Sequence, residues 1–134
     1  MIRDCTLADV PWLAETAEGA YRGLVEGFDR AAAEGWIGQC LADPSMWVVR
    51  GETHAGFATF YRFPWAPTES CCDLVHLYGP KRQGLEPLRI VEAFDQKRRA
   101  LGCRRFYIGS IYADLSPIAK RLGGQPTTTM WVIE

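Results

Sequence analysis

The sequence predicts an α/β fold, a mixed and mostly antiparallel central sheet flanked by helices. Three observations carry this. Two stretches of helical period precede the first long strand. Three strand-like runs then follow one another across short connections, which suits antiparallel pairing. A long amphipathic stretch finally joins the third of these runs to a further strand, and such a crossover makes a parallel step.

The first helix is expected from Leu7 to Tyr21, with Val10, Leu13, Ala14, Ala17 and Tyr21 on one face. Thr6 is placed to cap it, and Asp9 stands near the N3 position. Gly19, Gly23 and Gly27 break the period. A second helix is expected from about Phe28 to Leu41, packing through Phe28, Ala31, Ala32, Trp36 and Cys40, and Asp43-Pro44 ends it. Met46 to Arg50 and His54 to Phe63 read as a hairpin turning at Gly51-Glu52-Thr53.

Pro64 to Pro67 reads as a loop and Ser70 to Tyr78 as a third strand. Strict alternation puts Cys72, Leu74, His76 and Tyr78 on one face of that strand and Cys71, Asp73, Val75 and Leu77 on the other. Glu86 to Leu101 is the clearest helix. Pro87 suits its first turn, Leu88, Val91, Phe94 and Leu101 face inward, and Gly102 stands ready to close it. A strand from Arg104 to Ser110, a short helix from about Leu115 to Leu122 ending at Gly123-Gly124, and a strand from Thr127 to Ile133 complete the order.

At 134 residues the chain is expected to form one domain spanning residues 1–134. A net charge of −1 argues against a dedicated nucleic-acid binder, which carries a basic excess. No run approaches the roughly 20 apolar residues that span a membrane, and from the polar opening Met1-Ile-Arg-Asp-Cys5 no secretory signal is expected. The five cysteines include no C-x-x-C pair, so free thiols in a reducing cytoplasm are expected and no metal site is.

Between the third strand and the long helix lies Gly79-Pro-Lys-Arg-Gln-Gly-Leu85. A strand feeding a helix through a glycine-containing basic turn makes an anion site, because free N–H groups and the helix dipole meet there. The turn therefore points to a phosphate-bearing ligand.

The whole order resembles the GCN5-related N-acetyltransferase (GNAT) family. Ile2 to Val10 is similar to its first strand and helix, Asp73 to Leu101 to its acetyl-CoA-binding core, and Ile118 to Gly123 to the helix before its last strands. The resemblance implies acetyl-CoA as acyl donor and an amine-bearing small molecule or protein as acceptor, with neither nucleic acid nor membrane as partner and a homodimer left open. It implies that the backbone of Leu77 and Tyr78 holds the pantetheine arm and that Lys81, Arg82, Gln83, Gly84 and Leu85 hold the pyrophosphate. His76 or Asp73 is the implied general base. Tyr112 or Tyr78 is the implied acid for the leaving thiolate.

The chain departs from the family pattern in three places. Glu86 and Pro87 stand where small residues let backbone approach phosphate, so a carboxylate is expected to face the pyrophosphate and one N–H is lost. Ala119 occupies the position of the usual acid tyrosine, and Gly124 that of a phenylalanine. Only one strand follows Gly124. The alternative expectation is a catalytically degenerate binding or assembly protein with this fold, of a kind encoded by phages. On residue chemistry alone His76 also fits a half-buried strand histidine, Asp73 a solvated carboxylate, and Cys71 and Cys72 inert core thiols. Trp12, Tyr21, Trp36, Tyr61, Phe63 and Trp65 fit either core packing or an apolar acceptor pocket, with Trp65 the best candidate for the pocket.

Overall fold

Asp9 begins the architecture by satisfying groups from three directions. Its carboxylate accepts the Thr6 N–H at 2.9 Å and two bonds from the Arg3 guanidinium at 2.7 and 2.9 Å, and pairs with Arg50 at 3.4 Å. The bond from Arg3 leads the causes that hold this buried carboxyl well below the usual carboxylate range. A short 3-10 turn over Leu7–Asp9 leads into α1, Val10–Tyr21. Leu13, Ala14 and Ala17 are buried, as the period predicts.

The computed structural model describes residues 1–81, 84–110, 114–127 and 132–134. Its elements are β1 (Arg3–Asp4), α1, α2 (Arg30–Ala42), β2 (Met46–Arg50), β3 (Ala55–Phe63), β4 (Ala66–Tyr78), α3 (Glu86–Ala100), β5 (Arg105–Tyr107) and α4 (Ser116–Arg121). The strands form one sheet in the order β1-β2-β3-β4-β5. Neighbours from β1 to β4 are antiparallel, and β5 lies parallel to β4, as the crossover requires. One apolar cluster packs under α1 and α2 around Leu13, Ile37 and Phe57; the other packs under α3 around Ile90, Val91 and Phe94. Gly56 is needed beneath α3, because a Cβ there would run into Ile90 and Phe94.

The structure corrects several sequence expectations. Asp29 caps α2 by accepting the Ala32 N–H at 3.1 Å, and the helix buries Ile37 and Cys40 while Ala31 and Ala32 stay exposed. Alanines all around its first turn leave the period weak, so the apolar sheet selects the buried face. The expected loop at Pro64–Pro67 shortens to a tight turn, since β4 already begins at Ala66, paired with Phe63. Leu101 is exposed, because α3 ends before it and Gly102 takes a left-handed φ of 74°. Of the strand expected over Thr127–Ile133, residues 128–131 lie outside the described residues, and Val132 and Ile133 are exposed with no strand pairing among the described residues.

The largest correction lies in β4. Phe57 pairs with His76 and Ala58 with Leu74, so Val75 is an extra residue opposite them, a β-bulge. Alternation therefore changes phase at Val75. Cys72, Leu74 and Leu77 pack toward α3, while Tyr78 joins the cluster under α1 and α2 and His76 meets rings on that side. The side chains of Asp73 and His76 thus share one face, which uninterrupted alternation forbids.

Candidate active site

β4 pairs with β5 only through Cys71, Asp73 and the residue between them, matched to Arg105–Tyr107. Beyond Asp73, β4 keeps β3 as partner but has no ladder on its other side among the described residues. The bulge at Val75 explains this, because a bulged strand bends and twists away from a straight neighbour. The β4 backbone from Leu74 to Tyr78 is left with an open edge, where an extended ligand can replace the missing strand. Leu77 is half-buried there, on the α3 side.

At the end of β4 the chain enters the basic turn. Lys81 and Leu85 are exposed, and Gly84 adopts φ 64°, which favours glycine. Arg82 and Gln83 lie outside the described residues. The His54 ring braces the turn: Nε2 meets the Pro80 carbonyl at 2.9 Å. That oxygen can only accept, so Nε2 carries the proton. The ring packs so closely on Gly79 that a Cβ there would strike it.

Glu86 does not face the turn. Its carboxylate reaches back into the β2–β3 connection and accepts N–H bonds from His54 at 2.6 Å, Thr53 at 2.8 Å and Glu52 at 3.1 Å, with the Thr53 hydroxyl at 3.1 Å. Burial works to raise its pKa, but these donors outweigh burial and bring it down to about 2. Gly51 is required opposite, because a Cβ would overlap the carboxylate. The expectation that Glu86 opposes a bound phosphate is therefore corrected: its carboxylate stays ionised but is directed into another turn, where three amides and a hydroxyl satisfy it.

The other face holds the titratable groups. The His76 Nδ1 lies 3.2 Å from the Tyr21 hydroxyl, and Trp36, Phe57 and Tyr21 present rings nearly perpendicular to its imidazole at centroid distances of 5.2, 6.1 and 6.3 Å. Burial lowers its pKa below the ordinary 6.5, so the imidazole is neutral near pH 7 and able to take a proton. Asp73 is half-buried on the same face beside the Cys71 thiol. The Tyr78 hydroxyl is committed elsewhere: it is buried and donates to the Leu13 carbonyl at 3.0 Å, and burial pushes its pKa up. It is no acid for a leaving group in the open edge. Tyr112 lies outside the described residues.

Burial pushes the Cys72 thiol up to about 12 and raises Cys71 as well, so neither is a nucleophile. All five cysteines are free, and no metal-binding cluster occurs among the described residues. Gly124 also has a structural reason. Its N–H bonds the Ala119 carbonyl at 2.8 Å to close α4, and a Cβ there would come within 2.9 Å of that oxygen. A cleft of about 730 Å³ opens above the sheet, lined by Trp12, Thr16 and Ala20 of α1 and by Thr53, Gly79 and Lys81 of the two turns.

Sequence reasoning missed the Tyr21–His76 pair, the bulge and the task of Glu86. Tyr21 and His76 lie 55 residues apart with no local signal joining them. A Glu at the first position of a helix is an ordinary N-terminal residue until the turn that meets it is known.

No protein-family model matches the chain, and no curated protein matches it. Solved structures do. A GNAT family acetyltransferase from Staphylococcus aureus superposes with a TM-score of 0.74 at 10% identity, covering 100% of this chain and 97% of that one. A predicted acetyltransferase from Clostridium acetobutylicum, solved with acetyl-CoA, gives 0.74 at 14% identity over 100% and 95%. An aminoglycoside 6'-N-acetyltransferase from Acinetobacter haemolyticus gives 0.75 at 12% identity over 100% and 97%. The chain has the fold of the GNAT acetyltransferases, in a sequence that has diverged far from these neighbours.

Proposed function

We propose that this chain is a single N-acetyltransferase domain over residues 1–134 that moves an acetyl group from acetyl-CoA to an amine. The observation that carries this reading is the open β4 edge beyond Asp73, running straight into the basic turn and the start of α3. The residues fit the donor. The backbone of Leu77 and Tyr78 would hold the pantetheine arm as a strand partner. Lys81, Arg82, Gln83, Gly84 and Leu85 would hold the pyrophosphate, since Gly84 admits close approach and the Glu86 carboxylate is turned away into the β2–β3 connection. Bound there, acetyl-CoA supplies an activated acyl thioester.

The chain's own groups then act on the acceptor. Neutral His76 takes the proton of the incoming ammonium, directly or through water, and Tyr21 fixes its ring orientation. Asp73 on the same face attracts the cation. Tyr112 is the candidate proton donor to the leaving sulfur. Calorimetric titration tests the reading: acetyl-CoA binds the wild-type chain, and Lys81→Glu and Arg82→Glu weaken it about tenfold each. Saturating acetyl-CoA without heat or thermal shift overturns it.

Ala119 favours a second reading, a protein that keeps the donor cleft but has lost turnover and serves as a binding module. Acetylation of any amine above the uncatalysed rate excludes it.

No helix among the described residues is long and apolar enough to cross a membrane.

A further inference from the structure

We infer that the acceptor is a primary amine tethered to a flat aromatic ring, bound with the ring on the face of the β3–β4 arm and the amine at Asp73. This rests on the transferase reading above. Three features assign it. First, β3 and β4 outrun their neighbours: β2 pairs no further than Thr59, and β5 reaches only Cys71. The remaining arm, Arg62–Phe63 with Ala66–Ser70, is two-stranded, and Tyr61 stands at its base.

Second, that arm carries a row of touching rings. Tyr61 and Phe63 meet edge to face at 5.6 Å, and Phe63 meets Trp65 at 5.7 Å. None of the three belongs to either core cluster, and Trp65 is 82% exposed. Core packing therefore does not account for them, and exposed Tyr61 and Trp65 at contact distance from half-buried Phe63 form a stacking surface.

Third, the row ends at a carboxylate. Tyr61 pairs directly with Cys71 across the β3–β4 ladder and Asp73 follows two residues on, so the Tyr61 ring lies on their face; Cys71, burial and Asp73 raise its hydroxyl above the ordinary tyrosine range. Asp73 has no ion pair among the described residues, and Arg105 on the adjacent strand has its guanidinium on the Tyr107 hydroxyl. A half-buried carboxylate without a cation, one ring away from an apolar row, complements an arylalkylammonium ion. A simple alkylamine meets the carboxylate alone.

The test uses phenethylamine and n-butylamine as probes, by calorimetry on the full chain and by acetyl transfer from acetyl-CoA. Phenethylamine should bind at least about tenfold more tightly than n-butylamine. Trp65→Ala and Phe63→Ala should each weaken phenethylamine about fivefold, leaving n-butylamine, the acetyl-CoA affinity and thermal unfolding unchanged; Asp73→Asn should weaken both amines. Equal affinity for the two amines, or no effect of Trp65→Ala, overturns the inference. So does a dimer in sedimentation that Trp65→Ala dissociates, because the row then seats a second copy. Failure of acetyl-CoA to bind defeats the transferase reading instead, and the calorimetric comparison of the two amines does not depend on it.

Discussion

The two sides of the candidate site are built by opposite means. On the donor side, backbone does the work: an open strand edge, a glycine turn, and a helix start pinned by Glu86 to the Glu52–His54 amides. On the acceptor side, side chains do it: His76 among rings, Asp73 beside Tyr61, and an exposed aromatic row. A backbone cradle serves one invariant ligand and needs rigid support. A side-chain face is easily redrawn by substitution, which suits the part of a transferase that selects its acceptor.

Removing the support should break the donor side most severely. Glu86→Ala strands three turn amides and should cost about 3 kcal/mol, lowering the midpoint of thermal unfolding by about 10 °C. Its pH signature has a definite sign. The folded pKa of Glu86 is depressed to about 2 from 4.5, so its stabilisation is complete above 4.5 and lost as pH falls through 2. Denaturant titrations across that window should show a shallower slope in Glu86→Ala than in the wild type, the remainder coming from Asp9 and the other depressed carboxylates.

On the acceptor side, His76→Gln should lower kcat about 100-fold while acetyl-CoA affinity holds. The wild-type rate should fall as pH drops, with its inflection below 6.5, because burial lowers the His76 pKa and only the neutral ring accepts a proton. Equal loss of donor binding would show that the two sides are not separable.

A smaller effect sharpens the donor contrast. Gly51→Ala should cost about 2 kcal/mol through overlap with the Glu86 carboxylate and much less in the Glu86→Ala background, as measured in a double-mutant cycle. Smallest of all, Tyr21→Phe should lower kcat about fivefold, the worth of one orienting hydrogen bond, with thermal stability nearly unchanged.

Much of the frame was legible along the chain. The Met46–Arg50 strand, the hairpin at Gly51–Thr53 and the helix starting at Glu86 each announce themselves through local period and turn chemistry. The basic turn, the proposed donor side, was legible as a turn for the same reason, since its glycine and cations are sequence neighbours. The face of α2 was not legible, because alanine-rich turns have no preferred side until a sheet supplies one. Nor was the phase of β4, since a bulge is set by how two strands pair.

The sequence by itself determined the order of elements from β1 to α4 and the position of the basic turn, because each depends on contacts within a few residues, and the length of the α3 crossover dictated the parallel step. Tertiary structure alone decided that Asp73 and His76 share a face, that Tyr78 spends its hydroxyl on α1, and that Glu86 turns away from the cradle. Those outcomes depend on which backbone groups remain unpaired once the sheet has formed, and a carboxylate or hydroxyl goes to the donors and acceptors that folding leaves open.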